Sequence, residues 1–151
     1  MHSVRLFSVS VILLVVTASA VWAEQARTNV GVLTCTLEKP DKDVGQKMSC
    51  GFKAAGTGAD EKYSGTIRGS EQELASGKVV LVWAVIGPAE AKMPTGFLSQ
   101  RYVRGKSASG QPAVLVGEKN PAIVLQSETN NGSAAHATIT QMDLELTGIP
   151  A

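Results

Sequence analysis

Histidine, cysteine and aromatic residues are scarce in this chain. Among 151 residues there are two Cys and two His, and Phe, Trp and Tyr together make up 5%. A structural zinc site takes four ligands from Cys and His. Beyond the N-terminal segment only Cys35, Cys50 and His136 remain to supply them, so no metal site is expected. There is no C-x-x-C pair for redox work, no G-x-S-x-G elbow for a nucleophile and no phosphate-binding loop or dinucleotide fingerprint. No cofactor is implied. Excess charge is missing too, with 14 Lys and Arg against 13 Asp and Glu. That balance argues against a nucleic-acid binder, which needs a basic face, and against a polybasic membrane surface. After the first 23 residues no apolar run reaches the roughly 20 residues needed to span a bilayer.

The N-terminus has what the rest lacks. Met1 to Arg5 carry one firm positive charge, Leu6 to Val16 form a short apolar run, and "TASAVWA" ends at the small residue Ala23. A charged start, a short apolar core and a small-residue exit describe a secretory signal peptide. Cleavage is expected between Ala23 and Glu24, with cleavage after Ala20 as the alternative and an uncleaved anchor as the rival reading. Residues 24–151 are then a single β-rich domain, exported from the cytoplasm. With Arg5 gone, its basic and acidic side chains balance.

An exported chain meets an oxidising compartment, where paired cysteines form disulfides. Leu33, Cys35 and Leu37 share one parity, and Met48, Cys50 and Phe52 share another. Period-two alternation marks half-buried strands, so both thiols project toward a core. Glu38 to Lys47, with Pro40 and Gly45, reads as the loop between them. A Cys35–Cys50 bond across such a loop of about 15 residues would stabilise by roughly 3 kcal/mol in the chain-entropy picture. Asp41 to Gly45, "DKDVG", begins like a calcium loop, but Val44 stands where a ligand is needed and the twelfth position is Phe52. It reads as a solvated turn.

The remaining pattern is dominated by strands. Val30–Leu37, Met48–Lys53 and Lys62–Arg68 alternate. Val79 to Ile86 is continuously apolar and stops at Gly87-Pro88, as a strand buried on both faces would. Phe97–Val103, Ala113–Gly117, Ala122–Gln126 and Ala135–Leu146 complete the set, and Asn130-Asn131-Gly132 marks a hairpin turn. Ser70 with Glu73 resembles a capping box closed by Gly77, which allows one short helix. About eight short strands with frequent turns predict an all-β, single-domain antiparallel β-sandwich or small β-barrel. The pattern does not separate the two.

Several runs, taken in order, resemble the exported bacterial family called domain of unknown function 992. They are "GVLTC" at Gly31–Cys35, "SCGF" at Ser49–Phe52, "EKYSGTI" at Glu61–Ile67, "VWAV" at Val82–Val85, the spaced Gly96, Leu98 and Tyr102, and "VLVGEKNPAIVLQ" at Val114–Gln126. The resemblance covers most of residues 24–151. It implies an envelope location, a bacterial periplasm, and carries no catalytic residues. Where family members have a glycine-rich stretch before "VLVG", this chain is short and charged. Gln100 and Glu118 stand where glycines are typical.

Candidate functional residues are few. His136 lies on an expected strand with no nucleophile context, so no catalytic residue is assigned. Asp143 and Glu145 have the parity opposite to Leu144 and Leu146 and read as a solvated face, while Asp60-Glu61 is a carboxylate pair in spacing only. Trp83, inside the most apolar strand, reads as core or as a ligand-stacking surface. Tyr63 and Tyr102 read as packing or as a pocket mouth. Arg101, Arg104 and Lys106 form the one local basic cluster. Three readings follow. The leading one is a non-enzymatic periplasmic domain that binds an envelope protein or polymer, with Trp83, Tyr102, Arg101, Arg104 and Lys106 as candidate contacts. The second is a β-barrel carrier with a small apolar ligand near Trp83, and the third a hydrolase using His136.

Overall fold

The structure is a computed structural model. It describes residues 26–41, 45–56, 59–69, 80–89, 92–107, 111–128 and 139–149. The expected signal peptide, the Ser70–Gly77 helix, the Asn130–Gly132 turn and His136 lie outside them.

Eight strands form: β1 (Arg27–Asp41), β2 (Gly45–Ala54), β3 (Glu61–Gly69), β4 (Val80–Pro88), β5 (Arg101–Arg104), β6 (Val114–Gly117), β7 (Val124–Ser127) and β8 (Ile139–Gly148). They close into a barrel in the order β1-β2-β3-β8-β5-β6-β7-β4. Every pairing is antiparallel. Of the two architectures the alternation allowed, the barrel is the one formed. β1-β2-β3 and β5-β6-β7 are meanders, and β8 is inserted between β3 and β5. Among the described residues every strand has a neighbour on each side, so none is an edge strand.

The interior is apolar and filled. Leu33, Cys35, Met48, Tyr63, Leu81, Trp83, Val85, Tyr102, Leu115, Leu125 and Met142 are among the buried residues of one core cluster. They occupy alternate positions on their strands, as the pleat requires. Cys35 lies directly opposite Cys50 in the β1–β2 register, and the two are joined in a disulfide with Cα atoms 4.0 Å apart.

Two expected boundaries are corrected. The loop read over Glu38–Lys47 is shorter than expected, because β1 runs on to Asp41 and β2 begins at Gly45; 42–44 lie outside the described residues. A register shift between Leu37 and Pro40 places Pro40 opposite Gln46. A bulge is where a strand tolerates proline, which cannot donate to the ladder. Gln46 Nε2 then donates to the Glu38 carbonyl at 2.6 Å. The strand expected from Phe97 begins only at Arg101. Gly96 has φ +77°, and Phe97 and Ser99 amides donate to the Pro94 and Gly96 carbonyls at 3.1 and 2.9 Å. These turns leave 92–100 as a segment lying over one mouth of the barrel. β8 is described from Ile139, and the expected start at Ala135 lies outside the described residues.

Candidate functional site

Polar groups are buried at the covered mouth. Glu61, at the start of β3, shares the inward parity of Tyr63, Gly65 and Ile67 and is only 6% exposed. Its Oε2 accepts a hydrogen bond from the Tyr63 hydroxyl. Its Oε1 accepts one from the Gly96 amide at 3.0 Å. Gln100 Oε1 accepts from the Asn120 amide at 2.8 Å. Tyr102 Oη donates to the Leu98 carbonyl at 3.0 Å, and Ser99 Oγ accepts from the Leu146 amide at 2.9 Å. Phe97 packs edge-on against Phe52, ring centroids 5.3 Å apart. Burial raises the Tyr63 phenol far above its ordinary pKa, reinforced by the hydrogen bond and charge of Glu61. Burial also raises Tyr102, against a smaller lowering by Gln100. These hydrogen bonds and the Phe97–Phe52 contact tie the 92–100 segment to the barrel, so the arrangement is a clasp.

The E-x-Y-x-G-x-I run thereby acquires a physical reading. Glutamate clasps the mouth, tyrosine and isoleucine fill the barrel, and the glycine permits close approach of β3 and β8. A Cβ at Gly65 would overlap the Asp143 carbonyl oxygen and crowd Met48 Cε at 3.0 Å and Leu144 Cδ2 at 3.1 Å. The sequence carried one signal for Glu61, an acidic residue at core parity.

Of the expected contacts, Trp83 and Tyr102 are both fully buried in the core. The basic trio does not act as one cluster. Arg101 Nε donates to Asp143 Oδ1 at 2.8 Å on the outer face, and Asp143 raises the Arg101 pKa. Arg104 is half-buried and donates to the Ile139 carbonyl, and its burial lowers its pKa. Lys106 is exposed.

Arg101 and Asp143 border a feature that the sequence did not reveal. A surface groove of about 380 Å³ crosses β2, β3 and β8. The register places two outward rows across it. Lys47 pairs with Thr66, which pairs with Asp143, which pairs with Arg101. Ser49 pairs with Ser64, which pairs with Glu145. Short hydroxyl side chains therefore floor the groove. Lys47 and Glu38 stand on one wall and Asp143 and Glu145 on the other. Partial burial pushes the Asp143 carboxyl upward. Hydrogen bonds from Arg101 and Gln141, with the charges of Arg101 and Arg68, outweigh this and hold it below its ordinary value. Gln141 Nε2 donates to Asp143 Oδ2 at 2.9 Å, so both carboxylate oxygens have donors.

Among the described residues, no group of three or more His, Cys, Asp and Glu could hold a metal ion, and no helix is long and apolar enough to cross a membrane. A model of the family described as "Protein of unknown function (DUF992)" matches residues 14–145. No curated protein and no solved structure matches the chain.

Proposed function

The chain belongs to the DUF992 family, and from the division of its barrel into a filled interior and a polar outer groove we propose that it is a non-enzymatic, exported binding domain. The groove across β2, β3 and β8 is its contact surface, and the ligand is a polar envelope component, a protein segment or a polymer. The observation that carries this reading is the groove itself, floored by Ser49, Ser64 and Thr66 and walled by charges of both signs. Hydroxyls and paired charges offer donors and acceptors along an extended ligand without requiring an apolar anchor. Closure of the barrel supports the choice of surface. A partner cannot add a strand to a sheet without an edge, so recognition falls to outward side chains. The buried acid and phenols support a non-catalytic role, since each is hydrogen-bonded within the clasp. The Cys35–Cys50 disulfide is compatible with the oxidising compartment that the N-terminal signal peptide implies. In this reading Arg101 contributes by holding Asp143 at the groove wall, and Arg104 and Lys106 are peripheral.

The test compares the wild-type protein with Ser64→Trp, which fills the groove from an exposed position. Both are immobilised and exposed to solubilised envelope protein and to isolated cell-wall polymer. Retained material should be lost from the Ser64→Trp column and recovered with Ser64→Ala. If every retained component binds both columns equally well, the groove is not the contact surface.

A further inference from the structure

The Cys35–Cys50 disulfide joins neighbouring strands, with a sequence separation of only 15, yet it is walled in by strands from elsewhere in the chain. Cys35 is 0% and Cys50 5% exposed. Register shows what encloses them. In their own row across the barrel, Leu81 of β4 lies beside Cys35 and Tyr63 of β3 beside Cys50. Leu33 and Phe52 form the next inward pair toward the clasp, and Leu37 and Met48 the next pair away from it. None of these six residues is more than 5% exposed. On the clasp side Phe97 packs against Phe52 and adds a further layer. A filled interior of this kind has few voids larger than a water molecule. Making or breaking the bond requires a thiolate in contact with a disulfide sulfur, and the closed barrel leaves a thiol reagent no such approach.

We infer that the bond is made on the open β1–β2 hairpin, by exchange with an external disulfide oxidant before the barrel closes, and that closure then seals it. One cysteine of the pair, as its thiolate, attacks the oxidant's disulfide and expels one oxidant sulfur as a thiolate. The other cysteine thiolate attacks the chain's sulfur in this mixed disulfide, forms the Cys35–Cys50 bond and expels the second oxidant thiolate. The chain gives up two protons and two electrons, and the oxidant's disulfide becomes a dithiol. Timescales favour this order. Hairpins form in about 1–10 µs, whereas a ring completed by distant strands closes in milliseconds to seconds. Disulfide formation takes seconds to hours, so a full-length reduced chain closes first and traps its thiols. The hairpin is available earlier. At about 5–20 residues per second, synthesis from Cys50 to Ile139 takes roughly 4–18 s, and the ring cannot close before β8 exists. The bond is therefore a step in maturation and not a redox switch of the finished barrel.

Two measurements on the purified protein test this. In the first, the oxidised protein is treated with dithiothreitol, and freed thiols are counted by alkylation and mass. Reduction should be at least about a thousandfold slower than in the urea-unfolded chain, and should rise with urea along the slope of global unfolding. A smaller protection, or a rate that urea leaves unchanged, means that reagent reaches the sulfurs by a local opening and overturns the inference. In the second, reduced protein is diluted from urea, and pulses of oxidised glutathione are given at increasing delays. The fluorescence of Trp83, fully buried in the barrel, follows closure. The disulfide captured per pulse should fall by about a hundredfold or more as Trp83 becomes buried. If Trp83 never reaches its signal in the oxidised protein, closure itself requires the bond and the order stands. Thiols that still oxidise at the unfolded rate after Trp83 has reached that signal overturn it. None of these outcomes depends on whether the groove binds a ligand.

Discussion

Glu61 puts a carboxyl group at a core position, and its two acceptor oxygens hold the Tyr63 hydroxyl and the Gly96 amide. Glu61→Ala would leave both donors without that acceptor. Each buried unsatisfied group costs about 1–3 kcal/mol, so the expected loss of stability for the two is roughly 2–6 kcal/mol. Urea unfolding measures it, and amide exchange at Gly96 should accelerate more than exchange in the β1–β2 ladder. The two tyrosines give a second prediction. They are the only ones in the chain, and both have pKa values raised by burial. The unfolded chain releases phenolic protons near pH 10, while the folded one retains them. Their contribution to stability is therefore intact below about pH 10 and falls as pH rises beyond it. Phenolate absorbance should then appear together with loss of the fold, with no earlier phase. Asp143 works in the opposite direction. Its lowered pKa stabilises above the ordinary carboxylate value of about 3.9 and is lost as pH falls below it. The pair with Arg101 is exposed, so Asp143→Asn should cost less than about 1 kcal/mol at neutral pH, and that difference should vanish in acid.

At the scale of elements, alternation did most of the predictive work. The inward parities of Leu33, Cys35 and Leu37, and of Met48, Cys50 and Phe52, were legible because a pleat has period two and one face is dry. Their disulfide followed from parity and spacing. The extension of β1 through Pro40 was not legible, because proline signals a break unless a bulge receives it, and bulges depend on the partner strand. Residues 92–100 were similarly opaque. Phe97 and Leu98 are apolar enough for a strand, but Gly96 turns the chain and Glu61, 35 residues away, pins it. Gly65 makes the same point from the other side. Its sequence neighbours read as an ordinary strand, and only the Asp143 carbonyl on β8 explains why a side chain does not fit. Gly65→Ala should therefore destabilise by about 1–3 kcal/mol, the usual cost of overpacking, in a thermal or urea melt. Gly51→Ala on β2, where a Cβ would meet nothing within 4 Å, is the matched control and should be close to neutral.

At the scale of the whole molecule, strand count and class were legible, and closure was not. Eight alternating segments fit a sandwich or a barrel equally well, and the choice rests on which strands meet last. The groove was hidden for the same reason. Ser49, Ser64 and Glu145 come from three strands, and only their registration places them in one row. β8 has another consequence. It fills the gap between β3 and β5, so the ring remains broken until β8 arrives. Contacts between β3 and β8 join residues such as Tyr63 and Leu146, far apart in sequence, and such closures slow folding toward the millisecond-to-second range. A chain ending before Ile139 should retain the Cys35–Cys50 hairpin yet present two raw strand edges. Light scattering during refolding should show it aggregating where the full chain does not. Productive folding thus waits for β8, and the interval before it docks is when the chain most needs protection from its neighbours.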